Sequence, residues 1–523
     1  MALDKEVAVV HPEGEPELAV LGGPSAGSTV DTFGGTIHLR WDETAAVTPF
    51  GQLAFFVEFL KTAGLWEAWV KDCPVTYQSP NAPSKAEVLG SILLSVLAGH
   101  RRYAHITALR FDGVNPQLLG MTKVCSEDSV RRAFQEVEAS ECAAWQTQHL
   151  RIGYEPLLME PWILDIDSTV KPLYGHQQGA VKGYNPARRG RPSHVYHTYF
   201  AANIRLVLDV EVQAGNQTSS SYAQPELWKY IDSLPANGRP AFLRGDSDWG
   251  TERMRSAAEE RKLPYLFKLK QHANVKRLIQ QAFVRQDWVP AGQGWKGVEA
   301  ELRLTGWSRP RRVVVLRRRI GGERLLVERK RLAGRTPDEQ LALGFAEMVK
   351  EGPLYEYAVL VTSLPDEILA LGQHYRDRCD VENNFDELKN QWGWSGFTTQ
   401  DLKRCQIMAR LIAQVYNWWS MFVRLAIPDK HAEAITSRPL LLNAVGKQTT
   451  HAGQTTVTVT STHAKAPQMR LALQAISSFR AGIRNAAEQL TQAQKWLLIL
   501  SKVFYVFLKG RTLGQPQFIP GTG

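Results

Sequence analysis

Three textures of apolar and polar positions follow one another along the 523-residue chain. Up to about residue 155 apolar residues recur at helical spacing, as in "FGQLAFFVEFLKTAGLWEAWV" and "KAEVLGSILLSVLAGHRRYAHITAL", and "SEDSVRRAFQEVEAS" opens on a cap at Ser126. At 160 the period shortens to two. "PWILDIDSTVKPLYG" predicts one strand and "HVYHTYFAANIRLVLDVEVQAG" two more. Helix and strand then alternate through "SYAQPELWKYIDSLP", "PAFLRGDSDWG", "TERMRSAAEERKL" and "PYLFKLK", which together describe a mixed α/β sheet. Beyond it, "GVEAELRLTGW" and "RRVVVLRRRIGGERLLVERKRL" predict antiparallel strands, the second pair hinged at Gly321-Gly322. "LYEYAVLVTSL" resumes a buried strand. After 400 the pattern is helical again, and "QIMARLIAQVYNWWSMFVRLA" is apolar nearly all round.

These textures divide the chain into a Gly-, Pro- and Ser-rich tail over 1–30, a helical domain over 31–155 and an α/β domain in two parts, 156–275 and 351–425. A β-rich insertion over 276–350 separates the two parts, and a helical region follows over 426–523. There is no internal repeat. Arg101, Arg102, Arg131 and Arg132 sit on or beside the first helices, which fits either a helix-turn-helix-like DNA reader or a structural domain with solvated arginines.

Strand alternation puts Asp165 and Asp167 on one face and Trp162, Leu164 and Ile166 on the other. An acid in such a strand is costly unless it is paired, hydrogen-bonded or bound to a metal. Asp246 ends the next short strand, with Asp248 two residues on, and strand ends of this kind line the crevice of an open α/β sheet. Asp165 or Asp248 alone can equally cap a turn.

A third acid lies in "YRDRCDVENNFDELK". On a helix at about 100° per residue, Tyr375, Arg378, Glu382 and Lys389 share one stripe roughly 60° wide, beside an apolar face of Val381, Phe385 and Leu388. Asp380 and Glu387 face away from it. The bland account is a surface helix with i,i+4 ion pairs. Three converging carboxylates also suit Mg²⁺, which takes oxygen ligands and shares waters with phosphates. Two such ions about 3.5–4 Å apart stabilise both oxygens of an in-line phosphoryl transfer.

A formal charge of +10 favours a polyanionic partner, nucleic acid before membrane. The five cysteines are scattered, without a CxxC pair or zinc spacing. The acidic start does not resemble a signal peptide, no stretch is long enough to span a bilayer, and no GxxxxGK[ST] loop for a nucleotide cofactor appears. The expectation is a cytoplasmic protein.

"DIDST", "GYNPARRGRPS", "RGDSDW" and "YRDRCDVENNFDELK" resemble the DDE transposases of bacterial insertion sequences, in particular the group numbered thirteen-eighty, which is similar to the piggyBac-type transposases. The last stretch fits the signature Y-x2-R-x3-E-x6-K at every position, and the likeness covers about 160–275 and 355–420. It implies a ribonuclease H-like fold, α/β with a β-rich insertion, flanked by helical regions. It implies that Asp167, Asp246 and Glu382 hold two Mg²⁺ ions, for which Mn²⁺ substitutes. Asp167 is preferred to Asp165 because the family acid directly precedes a small hydroxyl pair, here Ser168-Thr169. Tyr375, Arg378 and Lys389 would then grip phosphates near the cut end.

Further basic positions suit a DNA path. Arg188, Arg189 and Arg191 form a loop between two strands. Arg317, Arg318 and Arg319, with Arg329, Lys330 and Arg331, flank the predicted hairpin, where they either track phosphates or keep an edge strand soluble. Trp288, Trp295 and Trp307 are candidates for stacking on an unpaired base or for core packing. His194 and His197 lie on opposite strand faces and have no ligand role. The implied activity is cut-and-paste transposition by a homodimer on double-stranded DNA, acting on terminal inverted repeats and target DNA at the bacterial nucleoid. By elimination, "AISSFRAGIRNAAEQL" is the candidate dimer contact. The alternatives are a two-metal nuclease without strand transfer and a domesticated transposase that only binds DNA.

Overall fold

The period-two stretch from 160 builds the centre of the molecule. The computed structural model describes residues 28–514 except 41, 43, 78, 187, 322–353, 429, 462–464, 487 and 488. Its main sheet has ten strands among these residues: β1 Ile163–Pro172, β2 Val181–Lys182, β3 Pro192–Ala201, β4 Leu206–Ala214, β5 Phe242–Gly245, β6 Tyr265–Lys268, β7 Val289–Gly292, β8 Trp295–Leu302, β9 Arg311–Arg319 and β10 Tyr355–Thr362. β4, β3 and β1 pair antiparallel, and β5 and β6 then join parallel to β1. Three meandering strands followed by two crossover strands is the ribonuclease H-like arrangement. The parallel pairs require the intervening helices α6 (Ser220–Asp232) and α7 (Glu252–Glu260) as crossovers.

The described part of the expected insertion is not a separate β body. β10 pairs antiparallel with β6, and β9, β8 and β7 follow in turn, so residues 289–319 prolong the same sheet. β9 and β10 continue the buried sheet, with Val313, Val314, Val315, Val359 and Leu360 fully buried. Gly322 and the second arm of the predicted hairpin, with Arg329, Lys330 and Arg331, lie outside the described residues.

The helical segments before and after the sheet pack on each other. α1 (Leu53–Thr62), α2 (Leu65–Asp72), α3 (Lys85–Leu97), α4 (Glu127–Arg132) and α5 (Ala139–Tyr154) precede the sheet. α9 (Ile368–Arg376), α10 (Cys379–Asn390), α11 (Leu402–Ala426), α12 (Ala434–Leu441), α13 (Ala466–Asn485) and α14 (Gln492–Val503) follow it, with α8 (Ala273–Phe283) in the middle of the chain. α11 packs on β4 and also against α1, α3, α5, α13 and α14. Its all-round apolar surface is thereby buried, with Trp418 and Trp419 each 1% exposed. Trp69 stacks on Trp145 at 5.6 Å and meets Trp418 edge to face at 5.1 Å, joining α2, α5 and α11 in one aromatic core. The strand Val47–Thr48 pairs with Gly446–His451, and Arg480 on α13 pairs with Glu58 on α1. The stretch "AISSFRAGIRNAAEQL" is therefore partly taken up inside the chain, at Ile476, Arg480 and Ile483.

One carboxylate in this frame makes stability depend on pH. Glu211 on β4 is buried, accepts from the Tyr199 hydroxyl and from Gln213 Nε2 (3.1 Å), and is pushed up to about 7 by burial, against the Tyr199 bond. Between its ordinary value and about 7 the folded protein keeps a proton that the unfolded chain has released. Stability therefore falls as pH rises through that window. Glu211→Gln should be more stable than wild type at pH 8 by on the order of 2 kcal/mol, and lose that advantage near pH 5. Denaturant melts at both pH values test this; parallel pH profiles for the two proteins would refute it.

Candidate active site

Asp165 and Arg244 are register partners on the adjacent parallel strands β1 and β5, so their side chains leave the sheet on one face. Both are almost fully buried. Arg244 clamps the carboxylate in a fork, Nε to Oδ1 at 2.5 Å and Nη2 to Oδ2 at 2.6 Å, and its Nη1 donates to the His374 carbonyl of α9. Removing either partner would strand the other charge, at a cost of about 3–5 kcal/mol. Asp165 is thus a structural acid that holds α9 to the sheet.

One step further along both strands come Asp167, 8% exposed, and Asp246, which follows Gly245, the partner of Ile166. Asp167 Oδ1 accepts from Ser168 N at 2.8 Å and Oδ2 meets the Arg378 guanidinium. Burial pushes Asp167 up to about 7; Arg378 opposes this and the Asp246 charge adds to it. Asp246 accepts from Asp248 N at 2.8 Å. Asp248 itself is engaged elsewhere, accepting from Ser220 N at 2.6 Å at the start of α6 and from Lys270 Nζ at 3.1 Å. The structure thus gives both alternate acids, Asp165 and Asp248, partners of their own.

Residues 375–389 do not form one helix. α9 ends at Arg376 and α10 starts at Cys379, and the turn between them tightens, with Arg378 N bonded to Tyr375 O and Asp380 N to Asp377 O at three-residue spacing. The helix pair lies over the face that carries the acids. It is held by Arg244 to the His374 carbonyl, by Arg378 to Asp167 and by Phe385 against Phe200 at 5.6 Å. Phe385 and Leu388 are buried as the pattern required; the side chain of Val381 lies outside the described residues. Asp380 turns away to Arg205 at 2.7 Å. Glu387 turns into the protein, where Trp392, His431 and the Ala434 amide satisfy it.

Tyr375, Arg378 and Glu382 meet the two strand acids in one cluster. The Arg378 guanidinium, 11% exposed, bridges Asp167 and Glu382, the latter at 3.8 Å from Nη1. Burial pushes the Tyr375 phenol up to about 12; Arg378 opposes this, and Asp246, Asp167 and Glu382 add to it, so its hydroxyl stays a donor. Glu382 is well exposed, its side chain 66% accessible. Lys389 lies two turns along α10, roughly 10 Å up its axis, half-buried and with its amine held below the usual lysine range by burial. The donor set, three carboxylates, is of the kind that takes hard divalent ions. In the arrangement present, no three His, Cys, Asp or Glu side chains among the described residues are close enough to hold a metal ion. The guanidinium stands between the acids instead.

The other sequence candidates lie apart from this cluster. Arg188, Arg189 and Arg191 are exposed on the loop before β3, with Arg188 and Arg191 over the exposed ring of Tyr174 at 5.9 and 4.6 Å. β9 is an interior strand, so the edge-strand account of its arginines fails. Arg317 stacks on Trp288 at 3.8 Å, Arg318 pairs with Glu356 at 2.5 Å and lies over Trp295, and Arg319 is exposed at the strand end. Trp307 is 9% exposed and packs against the guanidiniums of Arg255 and Arg311, at 4.1 and 5.5 Å from its ring, as a core residue does. His194 and His197 are buried and bonded to the carbonyls of Gln178 and Gln217.

Two positioning residues escaped the sequence reading. Arg244 stands two positions before Asp246, and strand alternation alone puts it on the acid face. Lys171 shares that face with Asp165 and Asp167. Burial pushes its amine down to about 8, and it donates to the Gly396 carbonyl, tying the segment after α10 to β1. Gly396 is packed so closely on the Arg101 carbonyl that a Cβ would stand 1.7 Å from it.

No curated protein matches the chain. Among solved structures it is similar to the piggyBac transposase synaptic complex with hairpin DNA, determined by cryo-EM. Identity is 11%, 92% of this chain and 90% of that chain are covered, and the TM-score is 0.34. The family model described as Transposase DDE domain group 1 matches residues 79–481. With that match over most of its length, the chain belongs to the DDE transposase family.

Proposed function

We propose that this transposase moves an insertion sequence by cut-and-paste. It binds the terminal inverted repeats, pairs the two ends as a homodimer, hydrolyses DNA at each end and joins the freed 3′-hydroxyls to target DNA. One observation carries the reading: Asp167 in the middle of β1, Asp246 just past the end of β5, and Tyr375, Arg378 and Glu382 interact in a single cluster on one face of a ribonuclease H-like sheet. Asp167, Asp246 and Glu382 would hold two Mg²⁺ ions, or Mn²⁺ in their place, and bound there the ions would polarise the scissile phosphate and activate water.

The protein's own groups do the rest. Arg378 exchanges Asp167 for a phosphate oxygen, for which its planar fork is well suited. Tyr375, protonated throughout the working pH range, donates to the DNA backbone. Lys389 supplies a point charge further along α10, and Arg188, Arg189, Arg191 and Arg319 extend the basic path. Among the described residues no helix is long and apolar enough to cross a membrane; the site of action is the nucleoid.

An end-labelled duplex carrying the element's terminus, incubated with the protein, Mg²⁺ and a target plasmid, tests this. Cleavage at the terminus and covalent joining to the plasmid are expected. Cleavage with no joined product would reduce the protein to a nuclease, and binding with no cleavage in Mg²⁺ or Mn²⁺ would reduce it to a DNA-binding protein.

A further inference from the structure

We infer that the seam between the N-terminal helices and the catalytic loops is a second DNA-backbone site, distinct from the acidic cluster; this rests on reading the chain as a DNA-cutting enzyme. A cavity of about 310 Å³ opens there, lined by charged and polar residues alone. Arg131, Arg132 and Asp128 come from α4, Gln177 from the loop after β1, Gln400 from the segment after α10 and Arg404 from the first turn of α11. Three guanidiniums against the two carboxylates of Asp128 and Asp401 leave a net positive charge that favours an anion.

The arginines divide into a fixed one and two available ones. Arg404 is tied down, pairing with Asp401 and donating to the Arg131 carbonyl at 2.8 Å. Arg131 and Arg132 both lean on the single carboxylate of Asp128, and their side chains are 51% and 67% exposed. One acid compensates only one of two cations, so both can turn to a phosphate at little cost.

Position makes duplex DNA the occupant. One wall continues the strand that carries Asp167, and the other continues the helix that carries Glu382 and Lys389. The two are joined by Gln178 N to Gln400 O at 2.8 Å and by Leu402 N to Gln178 Oε1 at 3.1 Å. A backbone entering the acidic cluster runs on along these loops. The cavity has room for about one sugar-phosphate unit, small for a ligand pocket, so it positions the duplex without reading its sequence.

The test compares three full-length proteins on a labelled element-end duplex and an unrelated duplex over a salt series. Arg131→Gln with Arg132→Gln should bind both duplexes about tenfold more weakly, with a slope of log K against log salt shallower by about 2. Asp128→Asn should bind both more tightly, by roughly threefold, because it frees the two guanidiniums. A purely structural seam predicts the opposite for Asp128→Asn, since it loses both ion pairs. Unchanged slopes, or weaker binding by Asp128→Asn, would overturn the inference. Should the double variant melt early, Arg132→Gln alone, at the most exposed position, should still lower the slope by about 1. If wild type cuts the element end while these variants behave as wild type, only this site is wrong. If wild type neither binds nor cuts, the DNA-cutting reading itself falls.

Discussion

Glu382→Gln is expected to bind the element-end duplex as wild type does and to cut it on the order of 10³-fold more slowly, about 4 kcal/mol of barrier. The substitution keeps the volume and one neutral oxygen and removes the charge that a divalent ion needs. Little else should change. The Glu382 side chain is 66% exposed and its one ion pair, to Arg378, is long at 3.8 Å. An exposed change of this kind alters stability by no more than about 0.5 kcal/mol. Loss of cutting can therefore not be blamed on unfolding, and matched melting curves would establish that. Equal cutting by the two proteins would make α10 a surface helix with ion pairs and remove the third acid from the site.

The second large effect is expected at Arg378. Arg378→Gln takes the cation from Asp167, a carboxylate that burial already pushes up to about 7. Cutting should fall by roughly 10²-fold or more, because the variant loses a fork for phosphate. Its stability should depend on pH in a definite direction. An acid raised in the folded state loses stability as pH climbs from its ordinary value to its folded one. Without Arg378 the folded value climbs further, so the losing window lengthens upward. Near pH 6 the buried Asp167 takes a proton and the variant should be close to wild type. At pH 8 it should be less stable by up to about 1.4 kcal/mol, the worth of the one pH unit above the wild-type value of about 7. Denaturant melts at the two pH values distinguish this from a plain packing defect, which would cost the same at both.

The strands of this protein were legible because alternation is a local property. "WILDIDSTV" and "FLRGDSDW" place their acids on one face whatever they pair with. Which strands neighbour which is not local: nothing in "RRVVVLRRR" says that β10 and then β6 will lie beside it, so the expected insertion became an extension of the sheet. The break at Asp377–Arg378 was equally hidden. The stretch holds neither Gly nor Pro, and the turn tightens where Arg378 reaches across to Asp167. The choice between Asp165 and Asp167 came from family resemblance. In the structure Arg244 occupies both oxygens of Asp165.

The packing of α11 has a consequence for how the protein is made. The nascent helices α1–α5 leave the ribosome well before the element that seals them, since α11 begins roughly 250 residues after α5 ends. At about 5–20 residues per second, that is an interval of some tens of seconds. During it the tryptophans of α2 and α5 wait without their partner on α11, a surface suited to chaperones. Emergence of α11, not of the first 155 residues, is the event that closes the core.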